Sequence, residues 1–423
     1  MSQRLATVFY SIAVVVIPVG VASKFLLGIE GATWVDPTLL LSVAAMLALI
    51  LRWEDFFSGG LLLVSGGTAI LFLTSVLCAL SGMLIRPPKL IYDVLREPLR
   101  LWLNLCFFVV SCWFLVHKPR VVLRCSAVAV IFGLGSGIYL YLVAFGIAPA
   151  STDIISYTRA YQLRQTLWFN GIPIPRMGGL FFESPPFGLF MYSMLVVLFC
   201  TRTSQPNARW TVFAISLAIL GVLASLADQV LLAGSVGLLS SLPQLAKKRP
   251  GVVWPSILMV SLAICVFEFQ SIKGKNESST TGIVSYVNGS SVGERSFHIH
   301  YGLSLLQADP AAAFFGIGPG RYGEYASETG MFVDTVSIQT SELELLVEWG
   351  GIGFAILVAL FAVVSARAWQ VSGVLGIGLL ISLILADSFQ ANWKYEAFFL
   401  AVAALCTRKP PGPLNHQASD AFA

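Results

Sequence analysis

The feature that most limits what this chain can fold into is a series of apolar runs, joined for the most part by short basic loops, that leaves little sequence polar enough for a soluble domain. A helix crossing the hydrocarbon core needs roughly 20 apolar residues, and backbone groups in hydrocarbon have to pair within their own segment. About twelve segments are expected on that measure. The first six are Leu5–Leu27, Leu39–Leu51, Gly60–Leu84, Leu101–Val116, Val121–Phe145 and Phe187–Cys200. The second six are Trp210–Ala224, Val230–Leu242, Val252–Phe269, Leu343–Ala366, Val371–Ala386 and Trp393–Leu405. Composition agrees, because only 11% of the 423 residues are charged, against about a quarter in soluble domains. The expectation is an all-α polytopic membrane protein, with residues 1–408 forming one multi-pass domain and no nucleic-acid partner.

Short basic loops stay cytoplasmic. Lys118, Arg120 and Arg124, then Arg202 and Arg209, then Lys247, Lys248 and Arg249, then Arg367, then Arg408 and Lys409 fall on one side if the segments alternate. Both termini are then cytoplasmic, the tail 409–423 included, and two long loops, 146–186 and 270–342, face the opposite side. The loop Arg86–Arg100 breaks the pattern, since alternation puts its four cations outside: either a short segment is miscounted, or a basic loop faces that side, where it would attract anionic head groups. No small-residue cleavage site follows the first apolar run, so no cleavable signal is expected. The seven cysteines sit in or at the edge of apolar segments and read as small buried hydrophobes. His298 and His300 would project to opposite sides of a helix, so neither a metal nor a cofactor is expected.

Candidate chemistry gathers in the two long loops. In the first, Arg159, Arg164 and Arg176 precede Glu183 with almost no intervening acid. An Arg fork matches phosphate oxygens and keeps its charge, although each of these Arg can equally be a solvated loop residue. Glu183 also suits the start of a helix, beside the N-cap Ser184 and Pro185 at the first helical position. In the second loop, Phe297, Tyr301 and Leu305 share one helical face, with Arg295 and His298 on the same segment. Asp309-Pro310 then stops that helix. The turn GIGPGRYG, Gly316–Gly323, follows; its glycines permit positive φ, and its amides with Arg321 can form an anion nest. Gly318, Gly320 and Tyr322 are the substrate-binding candidates of this turn. Gln339-Thr340, nine residues and Gly350-Gly-Ile-Gly353 close the stretch. Glu342 and Glu344 lie in that interval, where Ser341-Glu-Leu-Glu344 is also a capping box.

This last spacing resembles the O-antigen ligase and polymerase family of bacterial membrane glycosyltransferases, whose large periplasmic loop ends in a Gly-rich turn, a His-led pair, nine residues and a Gly-x-x-Gly. Arg176-Met-Gly-Gly-Leu-Phe-Phe-Glu183-Ser-Pro-Pro resembles the family's other conserved loop. One position departs: the ligases carry His where this chain has Gln339, which favours a polymerase. The resemblance implies a GT-C-like bundle in the bacterial inner membrane with both long loops periplasmic. It also implies oligosaccharide repeat units carried on undecaprenyl pyrophosphate as substrates, and a flippase and chain-length regulator as candidate partners.

On that reading Arg176, Arg295 and Arg321 stabilise the lipid-pyrophosphate leaving group without a metal, and Arg159 and Arg164 assist. Gln339 has no titrating nitrogen and cannot serve as a base, so a base, if needed, is Glu183, Glu344 or His298. The alternatives are a ligase transferring polymer to a lipid A core and a lipid-linked-oligosaccharide flippase or transporter.

Overall fold

The computed structural model describes residues 2–19, 37–49, 60–85, 91–150, 167–169, 172–174, 177–181, 184–202, 208–227, 230–237, 240, 291–328, 341–388 and 396–407. These are almost wholly helical. In chain order the helices are α1 (Ser2–Val16), α2 (Pro37–Leu49), α3 (Gly60–Ile85), α4 (Ile91–His117), α5 (Pro119–Ala144), α6 (Ser184–Thr201) and α7 (Ala208–Ser225). Then come α8 (Ser291–Ala308), α9 (Pro310–Phe315), α10 (Tyr322–Glu328), α11 (Ser341–Ser388) and α12 (Glu396–Thr407). One short antiparallel hairpin, β1 (Leu167–Phe169) with β2 (Ile172–Ile174), pairs Trp168 with Pro173.

Among the described residues, four helical stretches are long and apolar enough to cross a membrane: Gly66–Ile85, Val94–His117, Pro119–Ala144 and Leu343–Ala386. Five more apolar helices are shorter. Large apolar side chains stand exposed along these stretches, with Leu77, Val358 and Val363 as examples. A monomer in water rarely exposes so much apolar surface; it suits a membrane-embedded chain.

Buried aromatic and aliphatic side chains knit α1, α2, α4, α5, α6, α7 and α12 into one core. At its centre the Tyr10 ring stacks on Phe114 with centroids 4.0 Å apart, and the Tyr10 hydroxyl meets Ser111 Oγ at 3.1 Å. Small residues let the helices close up, as they do in membrane bundles. A Cβ on Gly221 of α7 would sit 2.7 Å from Met191 Cγ of α6, and one on Gly133 of α5 would sit 2.7 Å from the Phe190 ring.

Several expected boundaries shift. The stretch expected as a basic loop from Arg86 to Arg100 is helical from Ile91, so Arg96 and Arg100 lie on the first turns of α4. The expected segments Leu343–Ala366 and Val371–Ala386 lie on the two sides of a kink at Gly373 within α11, which also has non-helical backbone at Gly350. At Gly373 the chain doubles back: a Cβ on Gly376 would lie 2.4 Å from the Ala368 carbonyl oxygen, whereas residues so spaced in a straight helix are about 12 Å apart. The expected stop at Asp309-Pro310 is found, and Asp309 also caps the next helix, accepting from the Ala311 N–H at 2.8 Å. The segment Val252–Phe269 lies outside the described residues.

Gly221→Val should overpack the α6–α7 contact and cost about 1–3 kcal/mol. Thermal unfolding of the detergent-solubilised protein should show a clearly lowered Tm; an unchanged Tm would contradict this packing.

Candidate functional site

The site is built on the break in α11. In an unbroken helix the carbonyls of Val347, Glu348 and Trp349 would accept from N–H groups four residues on. Gly350 adopts φ 66°, ψ −176°, and these carbonyls also meet other donors. Val347 O accepts from the Ile317 N–H and Glu348 O from the Gly318 N–H, both at 3.0 Å, and Trp349 O faces the Cys78 thiol at 3.4 Å. Gly316 (φ 77°) lies directly against this break, and a Cβ on either Gly316 or Gly350 would strike the other segment's backbone. The two glycine motifs picked out in the sequence therefore meet backbone to backbone.

The turn's amides do form an anion nest, but the anion is the protein's own. The Glu348 carboxylate accepts from the Gly320 N–H at 2.8 Å and the Tyr322 N–H at 3.3 Å. Glu348 is 1% exposed. A phosphate expected at these amides would have to displace it.

Arg321 is equally enclosed, at 1% exposure. Its Nη1 donates to the Gly82 carbonyl at 2.8 Å, in the last turn of α3. Nε and Nη2 donate to Glu324 Oε2 at 3.1 and 3.0 Å, and the guanidinium carbon lies 5.6 Å from the Tyr325 ring centroid. Arg321, expected to face a leaving group, is thus held between the last turn of α3 and α10. Gly82 packs so tightly on the turn that a Cβ there would lie 2.7 Å from Gly318 Cα.

Carboxylates surround this knot. Glu97 of α4 is buried, takes a hydrogen bond from Arg96 Nε at 3.3 Å, and lies where a Cβ on Gly320 would be. Glu344, one turn before Glu348, is buried near Tyr322. Burial, reinforced by Tyr301 and Glu344, pushes the Tyr322 hydroxyl well above the usual phenol range. Tyr301 reaches across from α8 to donate to the Tyr325 carbonyl at 2.9 Å.

Of the expected site residues, Gly318, Gly320, Arg321, Tyr322 and Glu344 come together here. Arg295 and His298 lie on the first half of α8, which packs on α9 and α11. Arg159, Arg164, Arg176, Glu183 and Gln339 lie outside the described residues. Sequence reasoning missed Glu348, Glu97, Glu324 and Gly82. A signal existed for Glu348, which follows Glu344 by one helical turn and so shares its face, and for Glu97, an acid just before a long apolar run.

Glu348→Ala should strand the buried Tyr322 N–H at about 1–3 kcal/mol and the part-buried Gly320 N–H at a smaller cost, while Glu348→Gln, which keeps one acceptor oxygen, should cost less. Thermal shift together with limited proteolysis of the 316–323 turn checks that order; equal, small effects would mean the nest is not filled as described. No family model matches the chain, and no curated protein is significantly similar to it.

Proposed function

We propose that this chain is a membrane glycosyltransferase of the O-antigen polymerase type, which joins oligosaccharide repeat units carried on undecaprenyl pyrophosphate at the periplasmic face of the bacterial inner membrane. The observation that supports it is the direct contact between the Gly316–Gly323 turn and the Gly350 break. The first is the Gly-rich turn and the second the start of the Gly-x-x-Gly in the stretch that carries the resemblance, and their meeting lies at one end of the long apolar helices α3 and α11. On this reading the growing chain is the donor, a hydroxyl of a new lipid-linked unit is the acceptor, and the lipid pyrophosphate leaves. Since Arg321 is held by Gly82 and Glu324, it shapes the site, and charge stabilisation falls to Arg176 and Arg295 with Arg159 and Arg164. Glu344, beside Tyr322, stands as a base candidate together with Glu183 and His298. Gln339, which cannot titrate, is left to position the acceptor by hydrogen bonding.

A second reading, a transporter of lipid-linked oligosaccharide, also has an observation in its favour. Transporters place broken helices and ionisable groups inside the bundle, and α11 is broken at Gly350 with Glu344 and Glu348 buried on its short arm.

The size and sidedness of undecaprenyl-linked saccharides in a strain lacking the protein separate the readings. The polymerase predicts single repeat units on the periplasmic face. Long lipid-linked chains left untransferred would point to a ligase, and single units held on the cytoplasmic face to the transporter. In complementation, Arg176→Ala or Arg295→Ala should reduce polymer by roughly 10²–10³-fold, the usual consequence of deleting one preorganised donor. Full rescue by both variants would remove these Arg from the chemistry.

A further inference from the structure

An apolar cavity of about 450 Å³ opens between α3, α4, α11 and α12, within the size range of small-molecule sites. Its wall includes Gly67 and Leu71 of α3, Phe108 of α4, Trp349 and Leu357 of α11, and Phe399 of α12. The cavity follows the long axis of the helices. Gly82 of α3 touches the 316–323 turn, and farther down the same helix a Cβ on Gly67 would touch the Leu360 side chain. From Gly351, just past the break, to Arg367, α11 rises roughly 24 Å at 1.5 Å per residue, most of the ~30 Å of a bilayer's hydrocarbon core.

The two ends differ chemically. At the Trp349 end the cavity stops beneath the Glu348 knot, whose charged side chains Glu348, Arg321 and Glu324 are engaged by one another or by the turn. At the other end stands Arg367, the one charged residue on the wall. Its Nη1 donates to Gln370 Oε1 at 3.3 Å, and among the described residues no carboxylate pairs with it. Trp369 beside it is 54% exposed, as suits an aromatic at a head-group boundary.

We infer that this cavity is a binding site for a phospholipid of the surrounding bilayer, with its phosphate at Arg367 and one acyl chain running along α11 toward Trp349. A cavity walled by hydrocarbon stays dry, so in a membrane an acyl chain is its natural filling, and the lone cation at one end sets the direction. The head group lies at the end opposite the glycine turn, so this lipid is distinct from a substrate whose pyrophosphate would lie near that turn. The inference stands whether or not the polymerase reading does.

The test uses the full chain in mild detergent, incubated with dioleoylphosphatidylglycerol or with dioleoylglycerol, which has the same chains and no phosphate. Retained lipid is counted by native mass spectrometry. Wild type should retain phosphatidylglycerol and little dioleoylglycerol. Arg367→Gln should lower retention about five-fold, as expected for one cation facing an anionic lipid head, and Arg367→Lys should restore most of it. Leu357→Trp should fill the cavity and abolish retention at unchanged helix content, with Val402→Phe as a second filling variant should the first unfold. Equal retention of the two lipids, or phosphatidylglycerol retention indifferent to Arg367→Gln or to both filling variants, would overturn the site. So would preferential uptake of an added polyprenyl phosphate that ignores Arg367, or a second copy of the chain found covering the cavity.

Discussion

The interruption of α11 at Gly350 is the constraint on which the rest of the site depends. A helix protects its backbone by pairing every carbonyl four residues on, and at this point three successive carbonyls also meet donors from elsewhere in the chain. These donors are the Ile317 and Gly318 amides and the Cys78 thiol. A single residue in a left-handed conformation thereby gathers α3, α9 and α11 at one point. Only glycine tolerates that conformation without strain, and only glycine leaves room for the facing backbone of Gly316.

Burying ionised groups in such a knot costs several kcal/mol per ion unless each is paired and hydrogen-bonded. The arrangement meets that demand locally. Arg321 is balanced by Glu324 and bonds the last turn of α3 at Gly82, and Glu348 is held by two amides of the turn it supports. Each charge is thus fixed by groups that it also fixes, so the knot forms as a unit. Losing one member removes a hydrogen bond from each group it holds.

Much of the scaffold was legible in the sequence because hydrocarbon imposes a simple rule on segment length and polarity. The runs that became α3, α5 and α6, and the stop at Asp309-Pro310, could be read from residue type alone. The start of α4 could not: Arg96, Glu97 and Arg100 look like loop residues, and the burial of Glu97 against Gly320 is a tertiary contact that leaves no local pattern. The glycine motifs were visible, but not the identity of the anion in the nest. Amides of the 316–323 turn are available to any nearby acceptor, and the one that fills them comes from Glu348, on the far side of a polar stretch. The partners of Arg321 were hidden for the same reason, since a loop cation's partners are tertiary and leave no local pattern.

Glu348 and Trp349 are neighbours in sequence, and a helix turns about 100° per residue. One side chain therefore anchors the polar knot, while the next forms the end wall of the apolar cavity. The short arm of α11 acts as a mechanical bearing between the two. A shift at the hydrocarbon side large enough to move Trp349 would be felt at once by the glycine turn, so bilayer thickness or acyl-chain length becomes a natural input to the geometry of the polar site.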